Sequence, residues 1–315
     1  MLRNLHRRFL PLHRFTHTFA QPQRIDTFSS LKLAMTIPSP TQMPAIIPGP
    51  SKERETELQL SLKDVRQRIL RSQPSSINKN QPAPQLVAVS KYKPAEDIAG
   101  CYNAGQRDFG ENYVQELAEK AKKLPLEIRW HFIGTLQSNK AKILAAIPNL
   151  YCLQTLSSTR CATALSNNRP EELPVLNVML QVNTSGEDSK SGLSPLVASA
   201  PPAIQPAELY KLASHVIRNC PRLNLIGLMT IGSIAESTKV DEENNDFERL
   251  KETRDVLERL LAAEFGRGEE GAQWGSGGKL LLSMGMSSDF EVAIRAGSDI
   301  VRVGTGIFGS RPTKA

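Results

Sequence analysis

The chain of 315 residues carries four cysteines, Cys101, Cys152, Cys161 and Cys220, and none is spaced as a C-x-x-C pair. They fall within or beside predicted helices and strands, as reduced and mostly buried thiols do, so a reducing compartment is expected. Histidine is equally scarce. His6, His13 and His17 lie in the first 50 residues, which leaves His131 and His215 for the remainder. No His/Cys cluster exists from which to build a zinc site. No apolar run approaches the length of a membrane span. The formal charge is +7, but six basic residues against Asp26 place +5 of it in residues 1–50. The remainder is nearly balanced, which argues against a nucleic-acid surface.

What is present begins with that basic leader. Residues 1–34 hold five arginines, several Ser and Thr, and one acid, the composition of a mitochondrial transit peptide. Initiation at Met35 or Met43, or an extension without a role, fits the same composition, so cytoplasm and mitochondrion both stay open. Pro38, Pro40, Pro44, Pro48 and Pro50 then mark an extended linker. The expected organisation is a leader and linker over 1–50 and one domain over 51–315.

From Ser51, Leu58, Leu62, Val65, Ile69 and Leu70 recur at helical spacing and predict an amphipathic helix to about Arg71. Short Val- and Leu-rich runs then alternate with helical segments. Strands are predicted at Leu86–Val89, Asp108–Gly110, Ile128–Gly134, Tyr151–Leu156, Val175–Val182, Leu225–Ile231, Leu280–Ser283 and Ile300–Val303. Eight strand–helix units in one unbroken series predict a single (β/α)8 barrel, with a doubly wound open sheet as the alternative. Ser194–Pro206 and Gly266–Gly278 read as mobile surface insertions.

Leu86-Val87-Ala88-Val89 is a strand buried on both faces, and Ser90, Lys91 and Pro94 stop it. Lys91 therefore stands at the carboxyl end of a strand, where barrels and open sheets bind ligands. Partial desolvation there frees an amine for carbonyl chemistry. By itself, such a lysine is more often a solvated residue of a βα turn.

The other strand ends add polar residues to the same rim. They include Glu111, Asn112 and Tyr113, then Gln137–Lys140, then Asn183, Thr184, Glu187, Lys190 and Ser191, then Met229 and Thr230. The last two strands offer Ser283–Asp289 and Arg302–Gly306. Gly304-Thr305-Gly306-Ile307-Phe308-Gly309 matches G-x-G-x-x-G, but with six residues after Gly309 no βαβ unit is expected. Glycines after a strand still expose backbone N–H groups to an anion, and barrels commonly hold phosphate after strands seven and eight. Ser287, read as starting the helix after strand seven, adds a hydroxyl. Simple turn glycines are the alternative.

Other motifs carry less. Asp108-Phe109-Gly110 lacks the catalytic loop and glycine-rich loop of a kinase. His131, inside a strand beside Trp130, reads as a satisfied core histidine rather than a base. Glu187 and Lys190 read as solvated charge.

A phosphate cradle and a strand-end lysine on one rim point to pyridoxal 5′-phosphate (PLP), an aldehyde that joins a lysine as a Schiff base. Arg302 is then a candidate partner of the ring nitrogen. Staying protonated, it would donate to an unprotonated pyridine and weaken the ring as an electron sink.

Three long motifs, Val89-Ser90-Lys91 with Lys93-Pro94, Phe109–Tyr113, and Trp130–Gly134 with Leu136–Lys140, are joined by Gln181–Asn183, Lys190–Gly192, Gly227–Met229, Ser283–Ser287 with Asp289, and Val301-Arg302 with Gly304-Thr305 and Ile307-Phe308-Gly309. Together, over about residues 52–312, they resemble the pyridoxal phosphate homeostasis protein family, related to the amino-terminal barrel of alanine racemase. The resemblance implies PLP on Lys91, its phosphate held by Ser287, Gly304 and Thr305, Arg302 at the pyridine nitrogen, and Asn112 near the ring. Met229 falls in a matching motif at the rim and is counted with the cofactor-binding residues. Lys190 matches a secondary cofactor contact. Thr135 departs from a position where proline is frequent in the family, and no site residue is lost.

Racemisation needs a base on each face of the substrate carbon. In alanine racemase, as the family comparison implies, the second base is a tyrosine from an all-β domain. That domain is not expected here, because the chain stops soon after Gly309. Nothing in the sequence sets Tyr92 or Tyr113 opposite Lys91. The expectation is a monomeric PLP carrier in vitamin B6 homeostasis that serves PLP-dependent apo-enzymes, with no nucleic-acid or membrane partner. An amino acid racemase and a phosphate-binding barrel without lysine chemistry are the alternatives.

Overall fold

The computed structural model describes residues 49–74, 83–197, 207–233, 236, 244–266, 274–275 and 278–310. The expected leader and most of the linker lie outside the described residues, as do parts of the two insertions.

Eight parallel strands close into a barrel in sequence order. They are β1 (Gln85–Val89), β2 (Asp108–Glu111), β3 (Arg129–Phe132), β4 (Leu150–Leu156), β5 (Leu176–Gln181), β6 (Leu223–Met229), β7 (Leu281–Ser283) and β8 (Ile300–Val303). β1 pairs with β8 as well as β2, aligning Val87 with Arg302 and Ala88 with Val303. That pairing excludes the open sheet.

Helices coat the barrel. α1 (Lys52–Arg71) precedes it, followed by α2 (Ala95–Asn103), α3 (Val114–Lys123), α4 (Ala141–Ala145), α5 (Thr159–Asn168) and α6 (Glu208–Asn219). The series ends with α7 (Asn245–Phe265), α8 (Phe290–Arg295) and the single turn α9 (Thr305–Phe308). In α1 the Ser51 hydroxyl accepts the Arg54 N–H at 3.3 Å, an N-cap that occupies one orphan donor. Leu58, Leu62, Val65 and Ile69 are buried, whereas Leu70 is exposed, one position off the stripe that faces the barrel. Arg54 ties this helix down, donating to Asp97 at 2.7 Å and to the Phe308 carbonyl at 2.9 Å.

Strand alternation separates two cores. The outward face packs on the helices, with Phe109 against Trp130 at 6.0 Å between ring centroids. The inward face holds Val87, Cys152, Met179, Met229 and Ile300. Residues two positions away from these on the same strands, Gln154 and Arg302 among them, share that face. Burial pushes the Cys101 thiol up to about 12, so it stays protonated and inert.

Three expectations need correction. The segment after β7 does not become helical at Ser287. Asp289 Oδ1 accepts the Met286 N–H at 2.6 Å and closes a turn, so α8 starts at Phe290. The helical segment expected between β3 and β4 is a 3-10 turn, Ser138–Lys140, followed by the short α4. The insertions are also anchored where they are described. Trp274 is fully buried and bridges to Leu225, and the Leu196 N–H donates to Thr253 at 3.2 Å.

Gly227 is where β6 and β7 come too close for a side chain. A Cβ there would lie 2.2 Å from the Leu281 carbonyl oxygen and 2.6 Å from Met179 Cε. Gly227→Ala is expected to cost about 1–3 kcal/mol by overpacking. Chemical denaturation measures it, and an unchanged midpoint would contradict this account of the β6–β7 contact.

Candidate cofactor site

The rim at the carboxyl ends of the strands contains a cavity of about 260 Å³. Lys91, Asn112, Met229, Ser287, Arg302, Gly304 and Thr305 all line it. These are the seven residues singled out from the sequence. Lys190 does not line it, and its ammonium donates to Glu187 at 2.9 Å and to the Gly232 carbonyl. The cavity also takes in residues the sequence reading had not assigned to it, notably Lys93, Ile133, Ile231 and Met286.

Lys91 stands in a tight turn. The Ser90 N–H still donates to Gly110 at 2.9 Å, as a last rung of the β1–β2 ladder, and the Lys93 N–H then returns to the Ser90 carbonyl at 3.0 Å. The third residue of that turn, Tyr92, has φ 62°. A side chain in the left-handed region costs of order 1 kcal/mol and persists only where the surroundings impose it. Here they do. The Tyr92 N–H donates to Glu116 at 2.7 Å, and its hydroxyl meets that of Tyr113, with ring centroids 5.1 Å apart.

Beneath the turn lies a buried charge cluster. Glu111 shares the outward face with Phe109, two positions earlier on β2, so it points to α3 and not into the rim. Its Oε1 accepts from Ser90 Oγ and from Lys120 Nζ, both at 2.7 Å. Lys120 also donates to the Ser90 carbonyl at 2.9 Å and to Glu116 at 2.6 Å. Burial raises the Glu111 pKa, against the lowering effect of the Lys120 charge. The sequence signal for this pair was a lysine on the apolar face of α3, three positions after Leu117.

Arg302 projects from β8 into the barrel and is 3% exposed. It donates to Ser283 Oγ at 2.5 Å and to the Thr230 carbonyl at 2.7 Å. Burial pushes its pKa down to about 10, opposed by the charge of Asp289, so it remains a cation at neutral pH. Among the described residues no carboxylate lies within ion-pair distance of it. A buried cation in that position favours a ligand that supplies acceptors.

Beside Arg302, after β7 and β8, lies a cradle of donors. The Gly304 N–H donates to Ser287 Oγ at 3.2 Å, so the Ser287 hydroxyl joins the glycine loop although no helix begins there. A Cβ on Gly304 would stand 3.3 Å from the Val89 carbonyl, so glycine keeps the β1 and β8 ends in close contact. Asn112 reaches the cavity because Gly134 lets β3 pass close beside it, where a Cβ would fall 1.9 Å from the Asn112 carbonyl. Asn112 Oδ1 is buried with no hydrogen-bond partner. A phosphate fits the Ser287, Gly304 and Thr305 donors. The same cavity offers a polar aromatic ring the Asn112 amide and the Arg302 guanidinium.

His131 is fully buried and satisfied at both nitrogens, by Asp108 and Gln154, each at 3.0 Å. Among the described residues no His, Cys, Asp and Glu group is arranged to hold a metal, and no helix is long and apolar enough to cross a membrane.

Fold and site together define a class: a parallel (β/α)8 barrel with a lysine and an anion cradle in one cavity at its carboxyl rim. Residues 70–312 match the family model described as alanine racemase, N-terminal domain. The pyridoxal phosphate homeostasis protein of Schizosaccharomyces pombe is 43% identical over 229 residues, 73% of this chain and 85% of that protein. PipY of Synechococcus elongatus, solved with PLP bound, is 28% identical with a TM-score of 0.58, covering 80% of this chain and all of that one. Alanine racemase from Corynebacterium glutamicum shares the fold at 14% identity and a TM-score of 0.55, covering 81% of this chain and 62% of that one. The chain belongs to the pyridoxal phosphate homeostasis proteins, within the alanine racemase N-terminal domain family.

The buried cluster under Lys91 can be tested by removing one partner. Lys120→Met leaves Glu111 buried without its cation and is expected to cost about 3–5 kcal/mol in urea denaturation. Adding Glu111→Leu should recover most of that loss. A single variant as stable as the parent would show that the pair does not support the turn.

Proposed function

We propose that the chain holds PLP through Lys91 and serves PLP homeostasis as a carrier with little or no catalysis. The observation that carries this reading is the meeting of Lys91, the buried Arg302 cation and the Ser287–Gly304–Thr305 donors in one small cavity. The relatives' names and the PLP-bound neighbour support it. When bound, PLP supplies a reactive aldehyde and an electron-withdrawing ring.

Each residue then has a task. Lys91 holds the aldehyde carbon. Ser287, Gly304 and Thr305 would donate to the phosphate, with Asn112 near the ring and Met229 lining the same cavity. Arg302, remaining charged at neutral pH, would donate to the ring nitrogen and keep a proton off it. That weakens the ring as an acceptor of electrons. The two amines lining the cavity, Lys91 and Lys93, both follow β1 and so come from one side. Among the described residues no carboxylate, histidine or tyrosine lines the cavity to act as a base from the other side. The site therefore favours holding and release over racemisation. In this reading the chain is a monomer that serves PLP-dependent apo-enzymes.

Purified protein mixed with PLP is expected to show a visible band that borohydride abolishes and that Lys91→Ala lacks. Arg302→Gln should weaken binding by about ten- to hundredfold through loss of a charged hydrogen bond. No band in the parent would overturn the PLP reading. Sustained formation of a D-amino acid from its L-isomer would overturn the carrier reading in favour of a racemase.

A further inference from the structure

A continuous chain of side-chain hydrogen bonds crosses the barrel interior and ends on Arg302. At the far end Asp108 accepts from Arg129, whose guanidinium is half-exposed, at 2.7 and 2.5 Å, and from Gln85 at 2.7 Å. His131 Nε2 stands 3.0 Å from Asp108 Oδ1, and His131 Nδ1 stands 3.0 Å from Gln154 Nε2. Ser283 Oγ donates to Gln154 Oε1 at 2.7 Å and accepts from Arg302 at 2.5 Å. Asp108, His131, Gln154, Ser283 and Arg302 come from five different strands, and all are at most 5% exposed.

The Arg302 guanidinium and the orientation of the Gln154 amide together set the direction of the bonds. A guanidinium has no acceptor, so Ser283 Oγ must accept from it, leaving the serine proton for Gln154 Oε1. The Gln154 amide N–H then faces His131 Nδ1, which must be the acceptor. His131 then donates from Nε2 to Asp108 Oδ1. Burial alone would raise the Asp108 pKa, but its hydrogen bonds from His131 and Arg129 hold it below the usual carboxylate range. It thus ends the chain as an anion. Donors point one way from arginine to carboxylate, and such chains reinforce one another.

We propose that His131 is a positioning residue for the cofactor-binding arginine, acting through Gln154 and Ser283 to fix the orientation of Arg302 at the cavity floor. The inference rests on the reading of Arg302 as the donor to the ring nitrogen of PLP. His131 does not line the cavity, so it touches the ligand only through this chain. Its other neighbour is Tyr151, with ring centroids 5.3 Å apart. No further charged group is needed to explain its orientation.

The test uses the full chain loaded with PLP. The visible band is followed against pH, and its decay on dilution gives the release rate. His131→Phe keeps a ring but breaks two links, and release should become about three- to tenfold faster, the effect of one net hydrogen bond. The pH midpoint of the band should move in the same direction as in Arg302→Gln. A purely structural histidine would lower the melting temperature and leave both readouts at their parent values, which would overturn the proposal, as would a shift in the opposite direction. Should His131→Phe not fold, Gln154→Met and Ser283→Ala cut the same chain without stranding Asp108, and the same outcomes decide. A parent that takes up no PLP would overturn the underlying reading along with this one. A parent that loads normally beside unaltered variants would overturn this inference alone.

Discussion

The pairing of β1 with β8 is the constraint on which the rest of the site depends. It aligns Val87 with Arg302 and Ala88 with Val303, residues more than 200 positions apart in the chain. The turn that carries Lys91 leaves the top of β1, and the glycine loop leaves the top of β8. Closure therefore delivers the amine and the anion cradle to one rim. An open sheet built from the same strands would leave them at opposite edges. Gly304 keeps the two ends close, and α1 holds the loop from outside through the bond from Arg54 to the Phe308 carbonyl.

Within that frame the barrel devotes much of its interior to polar contacts. A buried arginine and a buried carboxylate are costly unless hydrogen-bonded. Here the costs are met by connection. Arg302 feeds the chain that ends at Asp108, while Glu111 is held on the outward face by Ser90 and Lys120. One network lies under the ligand and the other under the lysine turn. Both orient groups at the rim from positions that no ligand reaches, and the left-handed Tyr92 is kept in place by the second of them.

Much of this was legible in the sequence. Val- and Leu-rich runs alternating with amphipathic helices define the strand count, and a lysine or glycine placed directly after such a run locates the rim. All seven proposed cofactor residues converge on one cavity for that reason. Partners across the barrel were not legible, because periodicity assigns a face but not the neighbour that meets it. His131 was readable as a satisfied core histidine, yet its bonds to Asp108 and Gln154 appear only once β2, β3 and β4 are in register. Glu111 sat among rim residues by position and turns outward by alternation. Ser287 reads as a helix start, but Asp289 closes a turn first. Lys190 sits in a matching motif, yet its ammonium is engaged by Glu187 and the Gly232 carbonyl.

The central claim is that barrel closure makes Lys91 the residue that holds the aldehyde. The most direct measurement is to load the purified protein with PLP, reduce it with borohydride, digest it and locate the modified lysine by mass spectrometry. The account predicts one pyridoxyl group on Lys91, with Lys93 and Lys190 unmodified. Modification centred on Lys93 or Lys190, or no modification, would contradict it.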